Sequence, residues 1–292
     1  MSTSDGYIIG TTKIVDHGSP NQRFNLVILS EGYTENEIDN FQTESQNFVD
    51  KLYGTQPFDQ VWDGINIYRV DVVSTDSGAD DPISCRGSGS TVNTYFDATF
   101  CTDNLSYLLT ANVSTALSVA NDQVPEYHAV MMLVNTSKYG GSGGEIAIAS
   151  TAPQAAEILI HEMGHTVFGL ADEYDCTEYK DQDHYSGAEP CQPNITIDTN
   201  ITTNKWKNLI LPTTPMPTMP NPDCTQCNIQ PSPVSKGTVG TFEGAGYFTF
   251  EGPSYYHCGL YRPEYDCKMR NLAASFCAVC QNRIVDTITP YR

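Results

Sequence analysis

The first half of the chain alternates between two hydrophobic periods. FNLVILS, residues 24–30, is an unbroken apolar run of strand length. TENEIDNFQTESQNFVDKLYG, residues 34–54, then switches to helical spacing, with Ile38, Phe41, Phe48, Val49 and Leu52 on one face and Thr34 and Glu37 spaced as a capping box. INIYRVDVV (65–73) reads as a second strand, STDSGADDPISCRGSGS (74–90) as a polar loop, and LSYLLTANVSTALSVA (105–120) as a helix. HAVMMLV (128–134) is a third strand, and the glycine-rich YGGSGGEIAIAS (139–150) ends in a short one. A further helix follows, capped by Ser150 or Thr151 and with Pro153 in its first turn. Strand and helix in alternation predict an α/β layer with a twisted mixed sheet.

After about residue 175 the periodicity disappears. NKWKNLILPTTPMPTMPNPDC (204–224) carries proline, asparagine and threonine with no apolar stripe. The expected organisation is therefore an N-terminal α/β subdomain over 1–175 and an irregular, disulfide-rich C-terminal one over 176–292. The chain has ten cysteines, an even number that suits an oxidising compartment. Proximity suggests Cys85–Cys101 and Cys176–Cys191. The start, MSTSDGYIIG, lacks the basic-then-apolar pattern of a secretory leader; cytosolic residence and earlier removal of a leader both account for this, and the cysteine count favours the second, so a secreted or cell-surface protein is expected.

Thirty-five acidic against 15 basic residues give a net charge of -20. Nucleic acid and anionic membrane surfaces are therefore poor partners, because phosphate binding needs clustered Lys and Arg. No stretch is apolar for long enough to insert in a membrane.

The chemistry centres on HEMGHTVFGLADEYD, residues 161–175. Four residues is about one helical turn, so His161 and His165 share a face and can hold one zinc. Glu162 between them is placed to take a proton from the attacking water. Ile158, Leu159, Met163 and Val167 can bury the back of this helix. Position 171, where some zinc peptidases carry a third histidine, is alanine. Other candidates are weaker. Asp76, Asp80 and Asp81 could hold calcium through hard oxygens, and Cys224, Cys227, Cys277 and Cys280 could together hold a structural zinc. His17, His128, His184 and His257 stand isolated, with His184 and His257 in reserve as ligands. Asn-x-Ser/Thr sequons occur at Asn104, Asn112, Asn135, Asn194 and Asn200.

The chain resembles the bacterial IgA peptidase family of metzincin-like zinc metallopeptidases. The resemblance runs through ILSEGYT (28–34), VVSTDSGADDP (72–82), NTSKYGGSGGEIAIAS (135–150), EILIHEMGHTVFGLADEY (157–174), EGAGY (243–247), GLYRP (259–263) and CKMR (267–270) near FCAVC. It implies a metzincin-like fold and a zinc endopeptidase acting on protein or peptide. Asp172 becomes the third ligand, brought back by a left-handed turn at Gly169, with Glu173 as the alternative. Met269 becomes the methionine of the turn beneath the metal. Gly144, Glu145, Ile146 and Ala147 become an edge strand that pairs with an extended substrate. Tyr261 becomes a candidate for stabilising the oxyanion. The rival readings are a zinc amidase or deacetylase on a small substrate, and a peptide- or glycan-binding module with a structural zinc.

Overall fold

Val27, Ile28 and Leu29 are wholly inaccessible to solvent, as a strand buried on both faces requires. The computed structural model describes residues 4–177, 181–227, 229–233, 235–249 and 252–292. The chain forms two compact units, Met1–Val167 with Thr287–Arg292, and Phe168–Asp286.

The first unit is built on a six-stranded mixed sheet. Its strands are β1 (Gly6–Val15), β2 (Phe24–Glu31), β3 (Ile65–Ser74), β4 (Ala129–Val134), β5 (Gly141–Ser142) and β6 (Ala147–Ser150), in the order β1-β3-β2-β4-β6-β5. β3, β2, β4 and β6 run parallel, while β1 and β5 close the two edges antiparallel. Helix α1 (Ile38–Tyr53) buries Ile38, Phe41, Phe48, Val49 and Leu52, the face its spacing predicts. The capping box of Thr34 and Glu37 is formed, at the head of a short 3-10 turn that leads into α1. β1 had no counterpart in the sequence reading. Tyr7 and Ile9 on it are half-exposed, so its burial contrast is too weak to announce a strand.

Two helices start later than their sequence suggests. The segment 105–120 becomes α2 only over Val113–Gln123, because the Asn112 side chain accepts a hydrogen bond from the Thr115 amide and caps the helix there. Helix α3 covers Ala155–Phe168. Thr151 does not cap it: its hydroxyl donates to the Thr136 carbonyl instead.

The second unit has a three-stranded sheet of β7 (Asp181–His184), β8 (Phe242–Thr249) and β9 (Gly252–Arg262), ordered β7-β9-β8, and α4 (Ala278–Ile288) lies near the chain end. Long irregular connections join these elements. Arg262 takes the place of a larger apolar core: it is buried, donating to the Glu243 and Gly244 carbonyls and to Gln230 Oε1. Disulfides join Cys176 to Cys227 and Cys224 to Cys258, and in the first unit Cys85 to Cys101. The expected Cys176–Cys191 pair is therefore replaced, and Cys191 is an exposed thiol. Nearness in sequence misleads here because the chain between them departs to add β7 to β9. Cys224 and Cys227, both in disulfides, are unavailable for a four-cysteine zinc site with Cys277 and Cys280.

Glu31 ends β2 in a fully buried position, and burial pushes its carboxyl above the usual carboxylate range. It accepts hydrogen bonds from Thr94 Oγ1 at 2.5 Å and from the Ala98 and Phe96 amides at 2.9 and 3.0 Å. This one side chain ties residues 94–98 to the sheet. Glu31→Ala leaves two buried amides unpaired, each worth about 1–3 kcal/mol. Urea unfolding should therefore report a loss of about 2–5 kcal/mol, and a loss below about 1 kcal/mol would mean that the segment is anchored by other contacts.

Candidate metal site

Helix α3 is apolar on the face it turns inward, with Ile158, Leu159, Ile160 and Met163 buried. That fixes its roll, and the other face carries His161, Glu162 and His165. The two imidazole Nε2 atoms stand 3.2 Å apart, with the rings nearly perpendicular. The strand connection between β5 and β6 runs close over this face. A Cβ on Gly143 would lie 2.8 Å from Glu162 Oε2 and 3.2 Å from His165 Cβ, so only glycine lets the backbone approach that far. The Gly144 amide donates to Thr166 Oγ1 at 3.3 Å. The phenol of Tyr139, two residues before β5, is pushed up by burial first and then by the charge of Glu162.

The helix ends at Phe168, and Gly169 takes the left-handed conformation with φ 64°. This is the helix-terminating turn expected from the sequence. Asp172 follows three residues after that turn. Two imidazoles and a carboxylate form a donor set suited to zinc.

Residues 171–173 are held by Asn194. Its Oδ1 accepts from the Ala171 amide, and its Nδ2 donates to the Ala171 carbonyl and to Glu173 Oε1, at 2.8, 2.8 and 2.9 Å. This sequon asparagine is thus wholly buried and structural. Tyr255 Oη donates to Asp172 Oδ2 at 3.0 Å and lies 3.2 Å from Tyr174 Oη, and the two rings stack at 4.9 Å. Burial, and next the Asp172 charge, push the Tyr174 phenol well up. Tyr255 and Tyr174 are thus the tyrosines beside Asp172, and neither is marked out in the sequence. Among 17 tyrosines nothing local distinguishes them.

Glu173, the alternative third ligand, is fully buried and its carboxylate lies among Cys267, Cys277 and Cys280. Its amide donates to the Met269 carbonyl at 2.8 Å. Met269 itself is fully buried in a turn in which the Arg270 amide returns to the Cys267 carbonyl. Tyr261 is paired with Glu243 across the second sheet, and burial together with Glu243 pushes its phenol up to about 12.

The remaining candidates are placed as follows. Gly144, Glu145 and Ile146 precede β6, and Ala147 is its first residue; the outermost strand is Gly141–Ser142. The expected edge strand is thus displaced, because the glycines at 140–144 let the chain fold back antiparallel onto β6. The aspartates proposed for calcium are spent on their own loop. Asp76 Oδ2 accepts from the Asn93 amide, Asp80 Oδ1 from the Val92 amide and Asp81 Oδ2 from the Ser88 amide, and Asp81 also pairs with Lys138. They join no cluster of metal-ligating groups among the described residues. His17 Nδ1 meets the Ile65 carbonyl, His128 stacks on Phe24, and His257 Nδ1 lies 2.9 Å from the Cys224 carbonyl. His184, on exposed β7, belongs to no such cluster.

Comparison with known families gives a match to the model described as IgA Peptidase M64, over residues 12–232 and 231–288. A comparison with curated proteins gives no match.

Proposed function

The chain belongs to the IgA peptidase M64 family, which makes it a peptidase, and from that membership we propose that it is a secreted zinc-dependent endopeptidase with Glu162 as its general base. The observation that carries this reading is the histidine pair on α3. Two nitrogens bound to one tetrahedral zinc stand about 3.3 Å apart, and the Nε2 atoms of His161 and His165 are separated by 3.2 Å. Asp172 completes three protein ligands, which leaves one position open, as catalytic zinc sites do.

When bound, zinc would polarise the scissile carbonyl and make the attacking water a stronger acid. The protein's own groups do the rest. Glu162 follows His161 directly on the helix, takes the proton of the attacking water, and hands it to the leaving amine as the peptide bond breaks. The Tyr255 hydroxyl donates to Asp172 Oδ2 and so holds that carboxylate in one orientation. The exposed backbone of Gly143, Gly144 and Glu145, beside the helix that carries Glu162, is where an extended substrate lies in this reading. Secretion is supported by the three disulfides. Among the described residues no helix is long and apolar enough to cross a membrane.

Two outcomes test the mechanism. Glu162→Ala should keep its zinc and its fold while peptide hydrolysis falls by about 10²–10⁴-fold; near-normal turnover in the zinc-loaded variant would remove Glu162 from the reaction. Asp172→Ala should lose zinc at this site, and Tyr255→Phe should weaken it by about 10–100-fold in a competitive chelator titration. Unchanged affinity in both would move the third ligand elsewhere.

A further inference from the structure

Three cysteines remain reduced in the core of a protein whose other buried or half-buried cysteines are joined in disulfides. Cys267, Cys277 and Cys280 are each 2% exposed or less and gather around the carboxylate of Glu173, itself fully buried. Cys267 Sγ and Cys280 Sγ are 3.8 Å apart, and Glu173 Oε1 lies 3.5 Å from Cys280 Sγ and 3.8 Å from Cys277 Sγ. These spacings are too long for a disulfide. They match the edges of a tetrahedron centred on zinc, where two sulfurs stand about 3.8 Å apart and a sulfur and a carboxylate oxygen about 3.5 Å.

The surroundings point the same way. Glu173 Oε2 is buried and has no hydrogen-bond partner among the described residues, a costly state for a carboxylate unless a cation answers it. The sulfurs accept from the backbone as metal-bound thiolates do: the Cys277 amide points at Cys267 Sγ at 3.3 Å, and the Cys280 amide at Cys277 Sγ at 3.5 Å. Cys277 immediately precedes α4, an eleven-residue helix whose amino-terminal dipole favours negative charge. Glu264 caps the same helix by accepting from the Ala278 amide at 2.8 Å.

We propose that Cys267, Cys277, Cys280 and Glu173 form a second metal site, a closed four-ligand cage that takes a zinc ion. Three soft thiolates and one carboxylate select zinc over calcium or magnesium. With four protein ligands the ion has no open position, so its task is structural. It fastens the turn at 267–270 and the head of α4 to Glu173, the residue next to Asp172. It also explains how three neighbouring thiols persist in a protein that forms disulfides elsewhere, since the metal withholds them from oxidation. Metal binding involves no change of oxidation state, only loss of the thiol protons to solvent.

The test uses the full chain, purified without chelator, and the variant carrying His161→Ala and His165→Ala together. Metal analysis should give two zinc ions per wild-type chain and one per variant chain. Zinc-edge X-ray absorption of the variant should show sulfur neighbours at about 2.3 Å. One sulfur-ligated zinc in both proteins would refute the catalytic zinc and leave this site standing. A metal-free variant, a zinc with only nitrogen and oxygen neighbours, or a disulfide among the three cysteines in non-reducing peptide maps would overturn it. Glu173→Gln, close in shape, should release the sulfur-bound zinc to a chelator at least about tenfold faster; an unchanged release rate would remove Glu173 from the cage.

Discussion

Much in this molecule follows from the clamp that Asn194 places on residues 171–173. In extended chain, successive side chains leave on opposite sides. Once Asn194 bonds both backbone groups of Ala171, the two acidic residues that follow are committed to different surroundings. Asp172 stands with Tyr255, and Glu173 with three cysteines. The left-handed turn at Gly169 is the precondition, because a helix continued past Phe168 would carry Asp172 about 10 Å along the axis from His165.

As proposed, the two donor sets differ in the way open and closed zinc sites do. Helix α3 supplies two imidazole nitrogens, with Glu162 and His165 partly accessible and a glycine connection passing within contact distance. The set around Glu173 is of sulfur and oxygen and is sealed from solvent. Polar groups of this kind also organise the second unit more widely. Arg262 satisfies two main-chain carbonyls and Gln230, while Glu243 accepts from the Asn221 and Gly259 amides, so hydrogen bonds perform what apolar packing does around β2. Buried networks of this sort specify one arrangement strongly, because each missing partner is expensive.

The sequence by itself determined the elements whose signal is local. Strand β2 and helix α1 are legible because burial on two faces or on one leaves a period that no other element shares. The pair His161 and His165, the capping box at Thr34 and the turn at Gly169 are legible because each depends on residues within a few positions. The family resemblance drew on short segments of the same kind. Tertiary structure decided the rest. Cys176 pairs with Cys227 across 51 residues, and Cys267 and Glu173 meet across 94, separations over which spacing carries no information. Tyr255 rather than Tyr261 reaches Asp172 because the register between β8 and β9 shifts between Glu243 and Ala245, a three-residue slip that sets which tyrosine faces which way. Strand β1 and the outermost place of Gly141–Ser142 were hidden for a related reason. Edge strands gain their stability from the ladder they join, and only the folded sheet supplies that partner.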